Sequence, residues 1–408
     1  MTDVLWPGDD HAGDLFSDAS FVVAMTAVEE AWLDALAGIG IAPPAVGKLD
    51  LQALVARIPM RWLAAEAELG GNPAMPLVSA LRDGLGQVEP EAARWLHRGL
   101  TSQDVVDTAL MLCARDAVRA TLGSLREQVR LLSALAERHR DTPMVARTLT
   151  QHAVPTTFGL KAALWLTGVL DAYDDLAALV FPVQLGGAAG TMAATVELAS
   201  HLPDPVRAAT DLSLELATAL DLTPSTPWHT VRTSVTRIGD AAVRVTDACG
   251  RIAGDVLTLA RPEIGELSEG VGGGSSTMPH KANPVLSVLV RRAALTTPQL
   301  AATLHLSAAD AADERAAGGW HAEWSTLRTL LRRTVVAAAQ TSELVAGLQV
   351  HEERMAATLA ADADVRAEQA AMSELTGREP GTDYLGAGTA FLEAPLARAA
   401  GVLAEEAR

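Results

Sequence analysis

One segment late in the chain concentrates groups that could do acid–base chemistry. Three consecutive glycines from Gly272 to Gly274 lead into two serines, a histidine, a lysine and an asparagine, and the segment ends at Asn283-Pro284. Each glycine costs a helix or strand about 0.5–1 kcal/mol relative to alanine, which predicts a loop. The hydroxyl, imidazole, ammonium and amide groups can hold and move protons. We therefore predict a catalytic loop between helices.

A second segment resembles the start of a helix. In His97-Arg98-Gly99-Leu100-Thr101-Ser102-Gln103-Asp104, a hydroxyl or carboxylate could cap the first backbone N–H groups of the helix that follows. The same N–H groups and hydroxyls could instead bind a substrate carboxylate. Capping alone would account for the pattern, but both roles are compatible.

Two more segments carry polar and aromatic groups. In the first, Gln151-His152 precede Pro155, which is expected to be the first residue of a helix. In the second, Arg315 is followed by Trp320-His321-Ala322-Glu323-Trp324, in a chain with only 4% aromatic residues. That string could line a pocket in which Arg315 binds a carboxylate through two hydrogen bonds. The alternative is that the two tryptophans only anchor the start of a helix.

Long amphipathic patterns must position these segments. A helix capped near Ser17 comes first, and apolar residues then recur at three- and four-residue spacing over long stretches. These stretches are residues 104–140, 155–179, 205–220, 231–260, 284–306 and 321–348. Helices of this length bury their apolar faces by packing side by side. A coiled-coil dimer would need stronger alternation of charge. We expect an all-α protein with domains near 1–110, 111–348 and 349–408, the middle one a helical bundle.

Composition excludes several classes of function. A net charge of −18 argues against nucleic acid and anionic membranes as partners. Only Cys113 and Cys249 are present, which indicates buried thiols rather than a disulfide. No apolar run reaches membrane-spanning length and the N-terminal stretch is acidic, so a cytoplasmic protein is expected. Metal and nucleotide motifs are lacking, so we expect neither a metal nor a cofactor.

The catalytic-loop string, GSSxMPxKxNP, resembles the signature of the fumarase/aspartase superfamily. The resemblance implies an all-α protein of three domains with a central bundle of long helices. It also implies a reaction at a bond β to a carboxylate. Ser275 would transfer the proton of the carbon next to that carboxylate, Lys281 and Asn283 would stabilise the aci-carboxylate intermediate, and Ser276 and Met278 would contact substrate.

Further site residues follow from the same resemblance. The superfamily uses a TSxD segment for substrate binding, which implies that role for Thr101 and Ser102. Another loop, Gln184 to Thr191, is similar to its small-residue substrate loop. The remaining candidates are His152 as a catalytic residue, with a packing role as its alternative, and four substrate-binding residues: Arg147, Gln151, Arg315 and His321.

Leu149 distinguishes branches of the superfamily. Adenylosuccinate lyases carry a catalytic histidine at this position, whereas leucine cannot transfer protons. Together with the strings PTTFG and WHAEW, Leu149 resembles the branch that contains 3-carboxy-cis,cis-muconate cycloisomerase. This implies interconversion of 3-carboxymuconate and 4-carboxymuconolactone, in the protocatechuate branch of aromatic catabolism. The alternatives are a lyase that expels an amine or nitrite and a non-catalytic, crystallin-like protein.

The resemblance also predicts the assembly. In this superfamily three subunits of a homotetramer contribute segments to each active site. The substrate would be a small polycarboxylate, which the overall charge of −18 should repel. Local cations from several subunits could outweigh that repulsion, because charges are screened beyond about 10 Å.

Overall fold

The computed structural model describes residues 3–270, 273–274, 278 and 281–404. Its contacts divide the chain into two compact units. Unit 1 consists of Met1–Arg119, Leu179–Asp240 and Gln299–Arg332, and unit 2 of Ala120–Ala178, Ala241–Pro298 and Arg333–Arg408. The predicted division at residues 110 and 348 stays a prediction.

The N-terminal part of unit 1 is built from short and medium helices. Helix α1 begins as predicted, because the Ser17 side chain accepts a hydrogen bond from the Ser20 backbone N–H at 3.1 Å. It ends at Gly40, whose φ of 84° is a left-handed conformation that favours glycine. The helices of this part are α1 (Asp18–Ile39), α2 (Gln52–Val55), α3 (Met60–Gly70), α4 (Ala74–Val88) and α5 (Pro90–Trp95).

Long helices make up most of the remaining chain, which confirms the all-α prediction. The longest, of 37 residues, is about 55 Å long at 1.5 Å per residue. The helices are α6 (Ser102–Arg138), α7 (Phe158–Ala177), α8 (Ala193–Leu198), α9 (Pro205–Leu220), α10 (Thr233–Leu259), α11 (Val285–Ala309), α12 (Gly319–Gly347), α13 (Glu352–Ala361), α14 (Ala367–Thr376) and α15 (Glu393–Ala404).

The apolar face of α10 shows how these helices are held in unit 2. Its buried side chains recur at three- and four-residue spacing, so they form one stripe along the helix. Burial of each aliphatic side chain contributes about 1.5–3 kcal/mol, whereas intrinsic helix propensities differ by only about 1 kcal/mol among residues other than proline. The stripe consists of Val245, Cys249, Ile252, Val256 and Leu259.

A β-hairpin interrupts the helical pattern and corrects one prediction. Strands β1 (Pro143–Thr148) and β2 (Gln151–Thr157) are antiparallel, so Pro155 lies in a strand and does not begin the helix. Helix α7 begins later because the Thr157 side chain caps it, accepting from the Leu160 N–H at 3.1 Å. A second pair, β3 (Leu267–Ser268) with β4 (Gln349–Val350), is also antiparallel.

Both thiols are free and buried, as predicted. Burial raises the pKa of Cys113 to about 12 and that of Cys249 to about 11. Neither side chain therefore ionises near neutral pH, and both act as small apolar groups. None of the helices in the described ranges is long and apolar enough to cross a bilayer.

Gly159 provides a test of the packing between the end of α6 and the start of α7. A Cβ at this position would lie 2.6 Å from both the Arg140 Cα and the His139 carbonyl oxygen, which are backbone atoms that cannot move aside easily. We expect Gly159→Ala to lower the free energy of unfolding by about 1–3 kcal/mol in urea titrations followed by circular dichroism. Gly168→Ala in the same helix is the control, because its Cβ would meet only Ala248 at 3.8 Å. Equal stability of the two variants would contradict this packing.

Candidate active site

The segment that leads into α6 is held by contacts of His97 and Arg98 with helix α1. His97, with a φ of 63°, places Nδ1 2.6 Å from an Oε1 of Glu29, a side chain buried within α1. One residue later, the Arg98 carbonyl accepts from Trp32 Nε1 at 2.8 Å. These contacts set the position at which the predicted substrate-binding hydroxyls begin.

Asp104 joins the start of α6 to the small-residue loop. Its Oδ2 accepts from the Thr101 N–H at 2.9 Å, which caps the helix as expected. The same carboxylate also accepts from the N–H groups of Gly186 at 3.0 Å and Gly187 at 2.9 Å, and from Gln184 Nε2 at 3.2 Å. Because Asp104 is fully buried, this carboxylate holds the loop rather than a ligand.

Arg315 meets Thr101, a contact between two candidates far apart in sequence. Arg315 Nη2 donates to the Thr101 Oγ1 at 2.7 Å, and Arg315 is exposed. The guanidinium thus lies beside the positive end of the α6 macrodipole, where Ser102 is the first helical residue. In unit 1 the structure therefore brings together three of the predicted carboxylate-binding residues.

A buried ionic cluster, Asp107–Arg232–Glu323, lies behind this end of α6. Arg232 Nη1 donates to Asp107 Oδ2 at 2.7 Å, and Arg232 Nη2 donates to Glu323 Oε2 at 2.6 Å. Trp320 Nε1 donates to Asp107 Oδ1 at 2.9 Å, and Gln103 Nε2 to Oδ2 at 3.1 Å. The cluster ties the first turns of α6 and α12 to the residue that precedes α10.

The cluster accounts for one of the two tryptophans of the WHAEW string. Trp320 is buried and its N–H is used by Asp107, so it anchors the start of α12, which was the alternative to a pocket. Trp324 does line an apolar cavity of about 450 Å³, together with Phe16 and His321. His321 is exposed, its Nε2 lies 2.9 Å from the Gly71 carbonyl, and its ring centroid is 4.7 Å from that of Trp324.

Sequence reasoning missed the ionic role of all three members of the cluster. Asp107 and Arg232 lie within the predicted helical stretches 104–140 and 231–260, and Glu323 lies within the WHAEW string. A charged residue within an apolar helical pattern was the available signal. Burial raises the pKa of Glu323, although Arg232 acts against this by hydrogen bonding. Burial acts to lower the pKa of Arg232, but Asp107 and Glu323 together hold it above its usual value. The guanidinium is therefore charged at all relevant pH.

In unit 2 the hairpin carries four of the residues singled out from sequence. Its two-residue turn, Leu149-Thr150, has φ values of 49° and 71°, and Leu149 is 97% exposed. Positive φ at both positions is the type I′ pattern, which normally selects asparagine and glycine. Gln151 is exposed next to the turn and donates to the Thr150 Oγ1 at 3.3 Å. The tip therefore presents an apolar side chain and an amide.

The other two hairpin candidates are paired with carboxylates. Arg147 forms two hydrogen bonds to Glu266, at 2.9 Å and 2.8 Å, and the Glu266 side chain is fully buried. His152 Nδ1 lies 2.7 Å from Asp362 Oδ2, with 37% of the histidine side chain exposed. Arg147 is thus engaged by a protein carboxylate in this structure, whereas His152 uses Nδ1 for its carboxylate and its side chain remains partly exposed.

The ends of the predicted catalytic loop meet. Gly273 and Asn283 exchange backbone hydrogen bonds at 2.8 Å and 2.9 Å, and the Lys281 N–H donates to the Met278 carbonyl at 3.0 Å. Lys281 and Met278 are exposed and Asn283 is half-buried. The candidates Ser275 and Ser276 lie outside the described residues, so their roles stay predictions.

Glu269 fixes the point where this loop returns to a helix. Its Oε1 accepts from the Ser287 N–H at 2.8 Å and from the Ser287 hydroxyl at 2.6 Å, and its Oε2 accepts from the Leu286 N–H at 3.1 Å. A buried carboxylate at the N-terminus of α11 satisfies N–H groups that lack helical partners. Gly270 follows and lies against the Gly347 carbonyl, where a Cβ would come within 2.4 Å.

The part of the chain that the structure describes contains no group of three or more His, Cys, Asp or Glu side chains arranged to hold a metal ion. In unit 1, Thr101, Ser102 and Arg315 lie at the α6 N-terminus, whereas His321 contacts Gly71 and Trp324. In unit 2 they lie on the hairpin and at the two ends of the loop. Such groups can bind carboxylates and stabilise negative charge.

Comparisons with known proteins agree with this chemistry. A family model described as lyase matches residues 22–296. Nitrosuccinate lyase from Streptomyces davaonensis is 44% identical over 350 residues, covering 84% of this chain and 73% of the relative. The 3-carboxy-cis,cis-muconate cycloisomerase from Bradyrhizobium diazoefficiens is 40% identical over 350 residues, covering 84% and 75%. The crystal structure of 3-carboxy-cis,cis-muconate lactonizing enzyme from Pseudomonas putida superposes with a TM-score of 0.83 at 29% identity, covering 95% of this chain and 96% of that one.

The buried ionic cluster generates a stability prediction. Arg232→Met would leave the Asp107 and Glu323 carboxylates buried without their cation, so we expect the free energy of unfolding to fall by about 3–5 kcal/mol in urea. Arg207→Met is the control, since that arginine pairs with Asp211 at 3.6 Å with 78% and 55% of the side chains exposed. An exposed pair of this kind contributes about 0–1 kcal/mol. Similar losses in the two variants would show that the cluster does not stabilise unit 1.

Proposed function

Because this chain belongs to the lyase family of the fumarase/aspartase superfamily, we propose that it makes or breaks a bond β to a substrate carboxylate, with a leaving group that departs as a weakly basic anion. The first candidate reaction is the interconversion of 3-carboxy-cis,cis-muconate and 4-carboxymuconolactone. There the leaving group is a carboxylate of the substrate itself. No cofactor is needed, since the step moves one proton and one C–O bond.

One observation carries the argument about the leaving group. The hairpin tip, where adenylosuccinate lyases carry a proton-donating histidine, presents the exposed side chain of Leu149. An amine leaving group must be protonated as it departs, whereas a carboxylate is stable as an anion at neutral pH. An apolar tip therefore fits a reaction whose leaving group requires no acid.

The proton at carbon is assigned to Ser275. In the direction of elimination, the serine oxygen removes the proton next to the retained carboxylate, and the electrons of that C–H bond form the aci-carboxylate dianion. Those electrons then form the C=C bond as the C–O bond to the leaving carboxylate breaks. A serine hydroxyl is a weak base, so its alkoxide requires nearby positive charge, which Lys281 would supply.

Stabilisation of the dianion is assigned to Lys281 and Asn283. An ammonium and an amide donor fixed in a site from which water is excluded are each worth about 3 kcal/mol to a developing oxyanion. The paired backbones of Gly273 and Asn283 support this role, because they hold the donors at the end of the loop. Ser276 and Met278 are proposed to line the same pocket.

The other carboxylates of the substrate are assigned to two groups of donors. Thr101, Ser102 and Arg315 offer hydroxyls and a guanidinium at the N-terminus of a 37-residue helix. Gln151 offers an exposed amide beside the hairpin tip, and His152 a ring nitrogen. Arg147 and His321 remain substrate-binding candidates whose polar atoms contact protein groups in the free structure.

Nitrosuccinate elimination is the second candidate, favoured by 44% identity to the Streptomyces davaonensis nitrosuccinate lyase. Nitrite, like a carboxylate, leaves as a weakly basic anion, so the argument from Leu149 applies to it equally. Ala282, between the proposed catalytic lysine and asparagine, is a further departure from the usual superfamily pattern. Adenylosuccinate cleavage and a non-catalytic role have no comparable support.

We also propose a homotetramer in which several subunits complete each active site. Support comes from the superfamily resemblance and from the charge of the chain. With a net charge of −18, one subunit attracts a polycarboxylate poorly, whereas cationic groups converging from several subunits can bind it locally.

A single assay series tests the leaving-group proposal. Purified protein is offered 3-carboxymuconate, fumarate with nitrite, and adenylosuccinate, and ultraviolet absorbance follows each reaction. We expect turnover of 3-carboxymuconate and none of adenylosuccinate. Turnover of fumarate plus nitrite, without turnover of 3-carboxymuconate, would select the second candidate. Turnover of adenylosuccinate would overturn the argument from Leu149. Inactivity toward all three would support the non-catalytic alternative.

Removal of the proposed base tests the mechanism. Ser275→Ala deletes the proton-transferring hydroxyl, so we expect kcat to fall by about 10²–10⁴-fold with whichever substrate is active. Circular dichroism and light scattering should show the wild-type helix content and assembly. A variant that keeps more than about a tenth of the wild-type kcat would remove Ser275 from this role.

A further inference from the structure

His152 and Asp362 form a short, well-defined pair within unit 2. The Asp362 Oδ2 lies 2.7 Å from His152 Nδ1, across 210 residues of sequence. His152 is on strand β2, and Asp362 precedes the 3-10 turn Ala363–Arg366. A carboxylate on Nδ1 is the arrangement that fixes which histidine nitrogen carries a proton.

The Asp362 carboxylate is held in place by its own turn. Its Oδ1 accepts from the Asp364 N–H at 3.1 Å, so one oxygen caps the turn and the other is left for the histidine. The hydrogen bond from His152, followed by that from Asp364, holds the pKa of Asp362 below its usual value. The Asp364 N–H thus orients the carboxylate independently of the histidine, while the hydrogen bond from His152 favours the ionised form of that carboxylate.

The His152–Asp362 pair contributes little to the stability of the fold. The two side chains are 37% and 29% exposed, and exposed ion pairs contribute about 0–1 kcal/mol. The hairpin is held independently by strand pairing and by the hydrogen bonds from Arg147 to Glu266. What the pair does set is the orientation of the imidazole.

We propose that Asp362 is a positioning residue of the active site: it accepts the Nδ1–H of His152 and so directs Nε2 toward a carboxylate of the bound substrate. This rests on the proposed function, in which His152 contacts substrate. The Asp362 charge also balances the positive charge of an imidazolium whose Nε2–H donates to that carboxylate. The segment after residue 348 thereby contributes to the site through a side chain that does not itself touch substrate.

Asp362→Asn separates this role from capping. Asparagine caps a turn about as well as aspartate, but its amide donates to Nδ1 and carries no charge to balance an imidazolium, so the ring stays neutral with its proton on Nε2 and binds the substrate carboxylate through a weaker, uncharged donor. We expect kcat to fall roughly 10–100-fold, the range seen when a carboxylate that orients a metal-bound histidine is lost, with Tm unchanged. Asp362→Glu should recover part of the loss. Asp364→Asn, in the same turn, is the matched control and should keep wild-type kcat and KM.

A double-mutant cycle identifies the route of the effect. If Asp362 acts only through His152, adding Asp362→Asn to His152→Gln should cause no further loss of kcat. Wild-type kcat in Asp362→Asn, or an additional loss in the double variant, would overturn the proposal. So would an equal loss in Asp364→Asn, which would indicate a general effect on the turn.

A measurement without substrate distinguishes this proposal from the proposed function. In protein labelled with ¹⁵N-histidine, the His152 ring should show a proton on Nδ1, assigned by its disappearance in His152→Gln, and Asp362→Asn should move that proton to Nε2. A wild-type ring protonated only at Nε2 would overturn the pairing. Inactivity of the wild type toward every candidate substrate would instead count against the proposed function, while the spectrum still judges the pair.

Discussion

The start of α6 in unit 1 is held by the buried guanidinium of Arg232. Arg232 lies between Asp107 and Glu323, and taking three charges out of water is favourable only if every hydrogen bond is well formed. Asp107 and Glu323 lie near the N-terminal ends of their helices, where the macrodipoles favour negative charge. The ionic cluster therefore constrains the N-terminal ends of α6 and α12. It fixes the place where Thr101 and Arg315 can meet, because both flank the helices that the cluster joins.

Unit 2 uses buried carboxylates at two positions within four residues. Glu266 and Glu269 flank the short strand Leu267–Ser268, and both side chains are buried. Glu266 holds Arg147 on the hairpin, while Glu269 holds the first turn of α11. One small segment thus fixes both the hairpin and the returning end of the loop. Removing Arg147 would leave the Glu266 carboxylate buried without its cation, which would be costly.

The sequence predicted the helices well wherever the pattern was long and its ends carried ordinary signals. Ser17 and Pro205 begin helices as expected, and the long stretches are helical. The hairpin was missed because Leu149-Thr150 has none of the asparagine or glycine that usually marks such a turn, and because Pro155 was interpreted as a helix start. Local signals compete at such positions, and the contacts that help decide between them, such as that of Arg147 with Glu266, come from distant parts of the chain.

The candidate site shows the same limit. The chemical groups could be predicted from short motifs by resemblance, but the partners that orient them could not. Asp362 and Glu266 lie 210 and 119 residues from the side chains they hold, and a single sequence contains no signal for such distances. Trp320 was ambiguous for the same reason, since only the structure shows that its N–H is used by Asp107.

The proposed site stabilises the intermediate strongly but offers little assistance to the leaving group. In the proposed reaction the energetic demand lies in the dianion, and the donors at the loop end and at the α6 N-terminus all act on carboxylates. The leaving group receives no proton donor from Leu149, so it must be a good anion before it is bound. Selection among weakly basic leaving groups then falls to the positions of the carboxylate-binding residues. Those positions are set by buried ion pairs such as the one between Arg147 and Glu266, since a hydrogen-bonding site rejects misplaced groups by leaving its own donors unpaired.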